Sequence, residues 1–109
     1  MTGTDARIVF TTASNIDEAR RLGRTLVEER LAACATLIPT VESIYHWQGT
    51  VESAAECLLL LKTVAAQLPA LEARLLALHN YDTPEFLVLP VEAGSEGYLA
   101  WMRASLMQS

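Results

Sequence analysis

Four consecutive leucines, Leu58 to Leu61, constrain this chain more than any other feature. They sit between Cys57 and Lys62 in a stretch that reads as extended. In a strand, successive side chains point to opposite faces, so the run puts leucine on both sides of a sheet. Phe86-Leu-Val-Leu89 repeats the pattern. An antiparallel sheet with one wet face would alternate apolar with polar residues. Both faces must therefore be covered, in a chain of only 109 residues.

The remaining segments supply one α+β domain over residues 1–109. Arg7-Ile-Val-Phe-Thr-Thr12 is apolar and β-branched and predicts the first strand. Asn15, with Glu18 three residues later, forms a capping-box-like start for a helix. Ala19, Leu22, Gly23, Leu26 and Val27 fall on one stripe of it, with Arg20, Arg21, Arg24 and Glu28 elsewhere. Cys34 to Trp47 and Val51 to Thr63 flank Gln48-Gly49 and predict a long hairpin, with Pro39 at a bulge or an edge. Leu68, Leu71, Leu75 and Leu78 stripe a second helix that accepts Pro69 in its first turn. His79 to Thr83 ends that helix, and Pro84 to Leu89 is the last strand. A short final helix carries Tyr98, Trp101, Met102 and Ser105 on one face.

The order is β-α-β-β-α-β with a C-terminal helix, a ferredoxin-like sandwich. Right-handed crossovers put both main helices on the same face of the sheet. The other face needs a cover. A further copy of the chain is the simplest one, and the tail helix folded across the sheet is the alternative.

Lys and Arg number 8 against 13 Asp and Glu, a net charge of −5. That balance argues against a nucleic-acid partner, which needs clustered basic residues. No apolar run approaches the ~18 residues of a membrane span. Met1 to Arg7 lacks the basic and apolar regions of a signal peptide. A soluble, cytoplasmic protein is expected, with Cys34 and Cys57 as reduced thiols. Counting from the turn places Cys57 opposite Thr40 and Cys34 opposite Thr63. The thiols would then lie ~20 Å apart, at ~3.3 Å per residue. A disulfide needs Cα atoms within ~7 Å.

Most catalytic templates are missing: the sequence holds no Gly-rich phosphate loop, nucleophile elbow, CxxC or HExxH. With only His46 and His79, a closed structural zinc site is not expected. The densest polar constellation is His79-Asn-Tyr-Asp-Thr-Pro-Glu85. Its residue types suit a metal or a small polar ligand; on spacing alone the favoured reading is a solvated loop whose histidine caps a helix. Lys62 is either a strand-end charge in water or a group aimed into a cleft. Trp47 and Tyr45 share a face by their spacing and serve packing, an interface or ligand stacking. Cys34 is a packed thiol or a ligand.

Arg30-Leu-Ala-Ala-Cys34, Tyr45-His-Trp47 with Gly49, Leu61-Lys-Thr63, His79-x-Tyr81-x-x-Pro84-Glu85 and Tyr98-Leu-Ala-Trp101 together resemble the CutA family of divalent-cation-tolerance proteins. The resemblance spans nearly the whole chain. It implies a ferredoxin-like homotrimer akin to the PII signalling proteins, with long hairpins interlocked around the three-fold axis. It also implies polar clefts between subunits, lined here by Cys34, Trp47, Lys62, His79, Tyr81 and Glu85. Cu2+ or another divalent cation is the implied ligand, with His79 and Glu85 as its contacts and no obligatory cofactor. The chain departs from the pattern at Asn80, where His-Pro-Tyr is usual. Some members also place copper ligands, a cysteine and a histidine, where Thr11 and Leu78 stand. One of three ligands is left, so copper binding is expected to be weak.

The expected function is a trimeric, cytoplasmic, metal-responsive binding protein and not an enzyme. The alternative is a PII-like sensor of a small anionic metabolite, with Lys62 as counter-ion. An acylphosphatase-like hydrolase would need an arginine-bearing phosphate loop after the first strand, and Thr11 to Ser14 holds none.

Overall fold

The computed structural model describes residues 3–107. The elements in chain order are β1 (Ala6–Ala13), α1 (Ile16–Glu28), β2 (Cys34–Trp47), β3 (Thr50–Val64), α2 (Leu68–Leu78), β4 (Leu87–Pro90) and α3 (Glu96–Leu106). A single 3-10 turn, Ala65–Gln67, leads into α2. The strands form one sheet in the order β2-β3-β1-β4, and neighbouring strands are antiparallel. This is the ferredoxin-like arrangement that the element order predicts.

α1 begins where Asn15 Oδ1 accepts the Glu18 amide at 2.8 Å. The capping box is only half made, because the Glu18 carboxylate turns to Arg21 instead. Ala19, Leu22, Gly23 and Leu26 are the buried stripe of α1, and Leu71 and Leu75 that of α2. They meet Val9, Ala13, Cys57, Leu59 and Leu61 in one core between the helices and the sheet. Gly23 is the point of closest approach: a Cβ there would lie 3.0 Å from the Ala35 Cβ of β2. The hairpin turn has positive φ at both Gln48 (51°) and Gly49 (86°), the geometry that suits the right-handed twist of its arms.

Odd-numbered residues of β3 from Cys57 to Thr63 are buried under the helices, so the even-numbered ones line the opposite face. Directly paired residues share a face. Cys34, Lys62, Ile8 and Leu89 therefore form one row across that open face. Thr36, Leu60, Phe10 and Leu87 form the next row, and Ile38, Leu58 and Thr12 the third. α3 covers only one end of it. Met102 is buried against Ala6 and Ala33, with Val64, Leu99 and Leu106 around them. Of the expected Tyr98–Trp101–Met102–Ser105 face only Met102 is buried; Leu99 and Leu106 pack beside it, and Tyr98 and Trp101 stay about half exposed. The tail helix is thus a partial cover, and Leu87 (57% exposed) and Leu89 (43%) remain open.

Two boundaries differ from expectation. β4 starts at Leu87 rather than Pro84, since its ladder with β1 begins at the Phe10–Leu87 pair. Pro90 ends β4, which lies at the sheet edge, where a missing N–H is tolerated. A bulge accounts for the other difference. β2 pairs Ile38 with Leu58 and then Val41 with Glu56, so Pro39 and Thr40 both stand opposite Cys57. The extra residue shifts Cys34 opposite Lys62 rather than Thr63. Cys34 and Cys57 are free, and they lie on opposite faces of the sheet.

Candidate functional site

The bulge decides which side chains meet. A side-chain pattern of period two changes face when one residue is inserted. Ahead of Pro39, the even residues of β2 face the open side. Beyond Thr40 the odd ones do, because Val41 pairs with Glu56, Tyr45 with Glu52 and Trp47 with Thr50. Trp47 and Tyr45 therefore share the open face with Cys34 and Lys62. Without the bulge they would point the other way.

At one end of this face, Cys34 and Lys62 stand opposite each other. The turn that delivers Cys34 is held firmly. Arg30 adopts a left-handed conformation (φ 60°) just past α1. Its carbonyl accepts Gln67 Nε2 at 2.9 Å, and the Leu31 carbonyl accepts the Thr63 hydroxyl at 2.8 Å. The Arg30 guanidinium donates to the Ser105 carbonyl at 2.7 Å and ties α3 down beside the site. Lys62 Nζ lies 6.0 Å from the centre of the Tyr98 ring, and Tyr98 stacks obliquely on Trp101 at 5.4 Å. An open groove of about 500 Å3 runs along the β2 edge here, between Arg20, Gly23 and Arg24 of α1, Cys34 and Leu37 of β2, and Trp101 of α3.

A second polar cluster sits at the far end of β1. His79 follows α2 and is buried at 8% exposure. Its Nε2 lies 2.7 Å from the Thr12 carbonyl oxygen, and its Nδ1 accepts the Tyr81 amide at 3.1 Å. A carbonyl only accepts and an amide N–H only donates, so the network assigns a neutral ring carrying its proton on Nε2. The Tyr81 ring lies 4.6 Å from the imidazole, and its hydroxyl donates to Glu56 Oε2 at 2.6 Å. Burial, and then the Glu56 carboxylate, push the Tyr81 phenol above the usual tyrosine range. Arg21 closes the cluster from α1, donating to the Leu78 carbonyl at 2.7 Å and pairing with Glu18. That pairing holds the Glu18 carboxyl below the usual range. Glu85 is partly buried, two residues before the Phe10–Leu87 pair.

Of the expected site residues, Cys34 thus pairs with Lys62 and His79 touches Tyr81, but these two pairs, Trp47 and Glu85 do not come together within one chain. Tyr81 reaches Glu56, six residues along β3 from Lys62 and ~20 Å away at ~3.3 Å per residue. Trp47 lies opposite Thr50, ~40 Å from Lys62 by the same measure. β1 separates Lys62 from β4 and Glu85. Glu56 was missed by sequence reasoning, since nothing local distinguishes it from the other hairpin glutamates.

The residues present do not fit a tight metal centre. Among the described residues no three of His, Cys, Asp and Glu come together around a common point. Thr11 is fully buried on the helix side, and its hydroxyl has no partner among the described residues. The expectation that His79 is the main cation contact does not fit a ring with both nitrogens engaged. Burial raises the Cys57 thiol, which suits a packed side chain rather than a ligand.

The sequence profile of the CutA1 divalent ion tolerance proteins matches residues 7–105. This chain belongs to that family. The divalent-cation tolerance protein CutA of Pectobacterium atrosepticum is 45% identical over 102 residues, which are 94% of this chain and 93% of that one. The CutA of Thermus thermophilus is 45% identical over 96 residues, 88% of this chain and 93% of its own. The crystal structure of CutA from Xylella fastidiosa superimposes with a TM-score of 0.93 at 39% identity, covering 95% of this chain and all of that one. Family membership accounts for the α+β fold and for the motif blocks that carry the candidate site.

Proposed function

We propose that this chain works as a homotrimeric, cytoplasmic divalent-cation-tolerance protein, binding its ligand in clefts that a neighbouring subunit completes and catalysing no reaction. The observation that carries the proposal is the open sheet face. Cys34, Trp47, Lys62 and Glu56, with its partner Tyr81, lie on it or against it, yet they are spread over ~40 Å of one chain at ~3.3 Å per residue. Apolar side chains surround them: Phe10, Leu58 and Leu60 are only partly covered, and Tyr45 and Trp47 are exposed on the same face of the hairpin. Patches of this kind mark interfaces.

The sheet also has two unpaired edges, β2 and β4. The groove beside β2 carries Arg20 and Arg24, and β4 is flanked by Glu85 and Glu92. Joining two different edges is a heterologous contact, which makes a ring when the rotation between copies closes and a filament when it does not. Three copies is the number the family resemblance implies. A cytoplasmic setting is supported by the two free thiols. Among the described residues no helix is long and apolar enough to cross a membrane.

The ligand class is a divalent cation such as Cu2+, held weakly by Cys34 or Glu85 as cargo rather than as a resident cofactor. Sensing an anionic metabolite is less favoured, because the named relatives are divalent-cation tolerance and CutA proteins. Equilibrium dialysis of metal-free protein against Cu2+ tests the reading. Weak, saturable binding that falls in Cys34→Ala or Glu85→Gln is expected. No saturable binding, or binding indifferent to both changes, would overturn it.

A further inference from the structure

We propose that His79 is a structural pin that positions Tyr81 for Glu56, and that its imidazole is not a cation ligand in this protein. A metal takes a lone pair from an imidazole nitrogen that carries no proton. His79 has one such lone pair, on Nδ1, and it already accepts the Tyr81 amide. Nε2 carries the proton and donates to Thr12. To ligate through either nitrogen, the ring must release one element of the fold. Freeing Nδ1 leaves the Tyr81 amide without its acceptor and unseats the ring that presents its hydroxyl to Glu56. Freeing Nε2 breaks the tie between the end of α2 and the end of β1.

The neighbourhood is built for holding rather than for opening. The ring is 8% exposed, and the Arg21 bond to the Leu78 carbonyl fixes the residue just before it. Among the described residues no set of His, Cys, Asp and Glu gathers here to complete a cation site; Leu78 is apolar, and Thr11 lies buried on the helix side. One chain of bonds therefore runs from Thr12 through His79 and Tyr81 to Glu56. It joins β1, the loop after α2, and the hairpin. His79 acts on the candidate ligand face through Tyr81.

Two measurements on the full chain separate a pin from a ligand. Long-range 1H–15N spectra of the imidazoles should show His79 as the neutral Nε2–H tautomer, unchanged by a large excess of Zn2+ (a diamagnetic probe). A shift of either His79 nitrogen to a metal-bound position would overturn the proposal. Stability of three variants supplies the second readout. Gln places an amide N–H near the position of Nε2, and Asn places a carbonyl oxygen near that of Nδ1. His79→Ala should lower the melting temperature by several degrees, while His79→Gln and His79→Asn should each recover part of the loss. Equal melting of His79→Ala and wild type, or no recovery by either amide, would overturn the pin. The spectra need only wild-type protein, so a variant that fails to fold leaves the test intact. Failure of Cu2+ dialysis would count against the proposed function and leave the tautomer result standing.

Discussion

Removing the hydroxyl of Tyr81 probes the bond that joins the loop after α2 to the hairpin. The donor lies 2.6 Å from Glu56 Oε2, short for a hydrogen bond and charge-assisted. Hydrogen bonds to a charged group contribute ~1.5–3 kcal/mol. Tyr81 and Glu56 are both partly buried, so water reaches the abandoned carboxylate and softens the loss. Tyr81→Phe should therefore cost about 1–2 kcal/mol at neutral pH. For a domain of this size that corresponds to a fall in melting temperature of ~4–8 °C per kcal/mol. Glu56→Gln on top of Tyr81→Phe should cost less than the two single changes added, because they remove the same bond.

The pH dependence gives a second reading of the same contact. The Tyr81 phenol is raised in the folded state by burial and by Glu56. A raised acid keeps its proton when folded, so its contribution is complete below the unfolded value of ~10 and is lost as pH rises through the folded one. Wild type should lose stability above pH ~10 more steeply than Tyr81→Phe. Urea denaturation at a fixed chain concentration measures both effects and holds any assembly contribution constant. A Tyr81→Phe variant as stable as wild type, with a superimposable alkaline limb, would refute the reasoning.

Gly23→Ala should destabilise the fold by ~1–3 kcal/mol in the same urea assay, despite the better helix propensity of alanine. The added methyl would meet the Ala35 Cβ at 3.0 Å, and that atom cannot rotate away; a stabilised variant would show that α1 moves off β2 freely. Lys62→Ala combined with Glu85→Ala should cost less than the single changes summed, measured on melting of the assembly. β1 separates the two in one chain, so strict additivity would mean that no subunit boundary brings them together.

Much of the fold is legible in the sequence because the strong signals are local. The Asn15 cap, the Ala19–Leu22–Gly23–Leu26 stripe and the Gln48-Gly49 turn each specify their element without help from distant residues. The two-sided leucine run also announces an open face, since helices on one side leave Leu58 and Leu60 on the other. The site was less legible. Pro39 signals a bulge, but only the strand register shows that the bulge turns Trp47 onto the face of Cys34. Glu56 is set apart solely by a phenol 25 residues away in sequence. The role of His79 depends on which groups face its two nitrogens, and spacing along the chain carries no record of that. α3 shows the same limit: spacing groups Tyr98, Trp101 and Met102 on one face, and only the packing shows that Met102 alone of them is buried, against the small residues Ala6 and Ala33.

The claim on which the functional account turns is that the open face is closed by other copies of the chain. Sedimentation equilibrium of the purified, metal-free protein tests it most directly. A single species of about three times the 11.9 kDa chain mass is expected, persisting on dilution through the micromolar range. A stable, native-like species at the 11.9 kDa chain mass would contradict it.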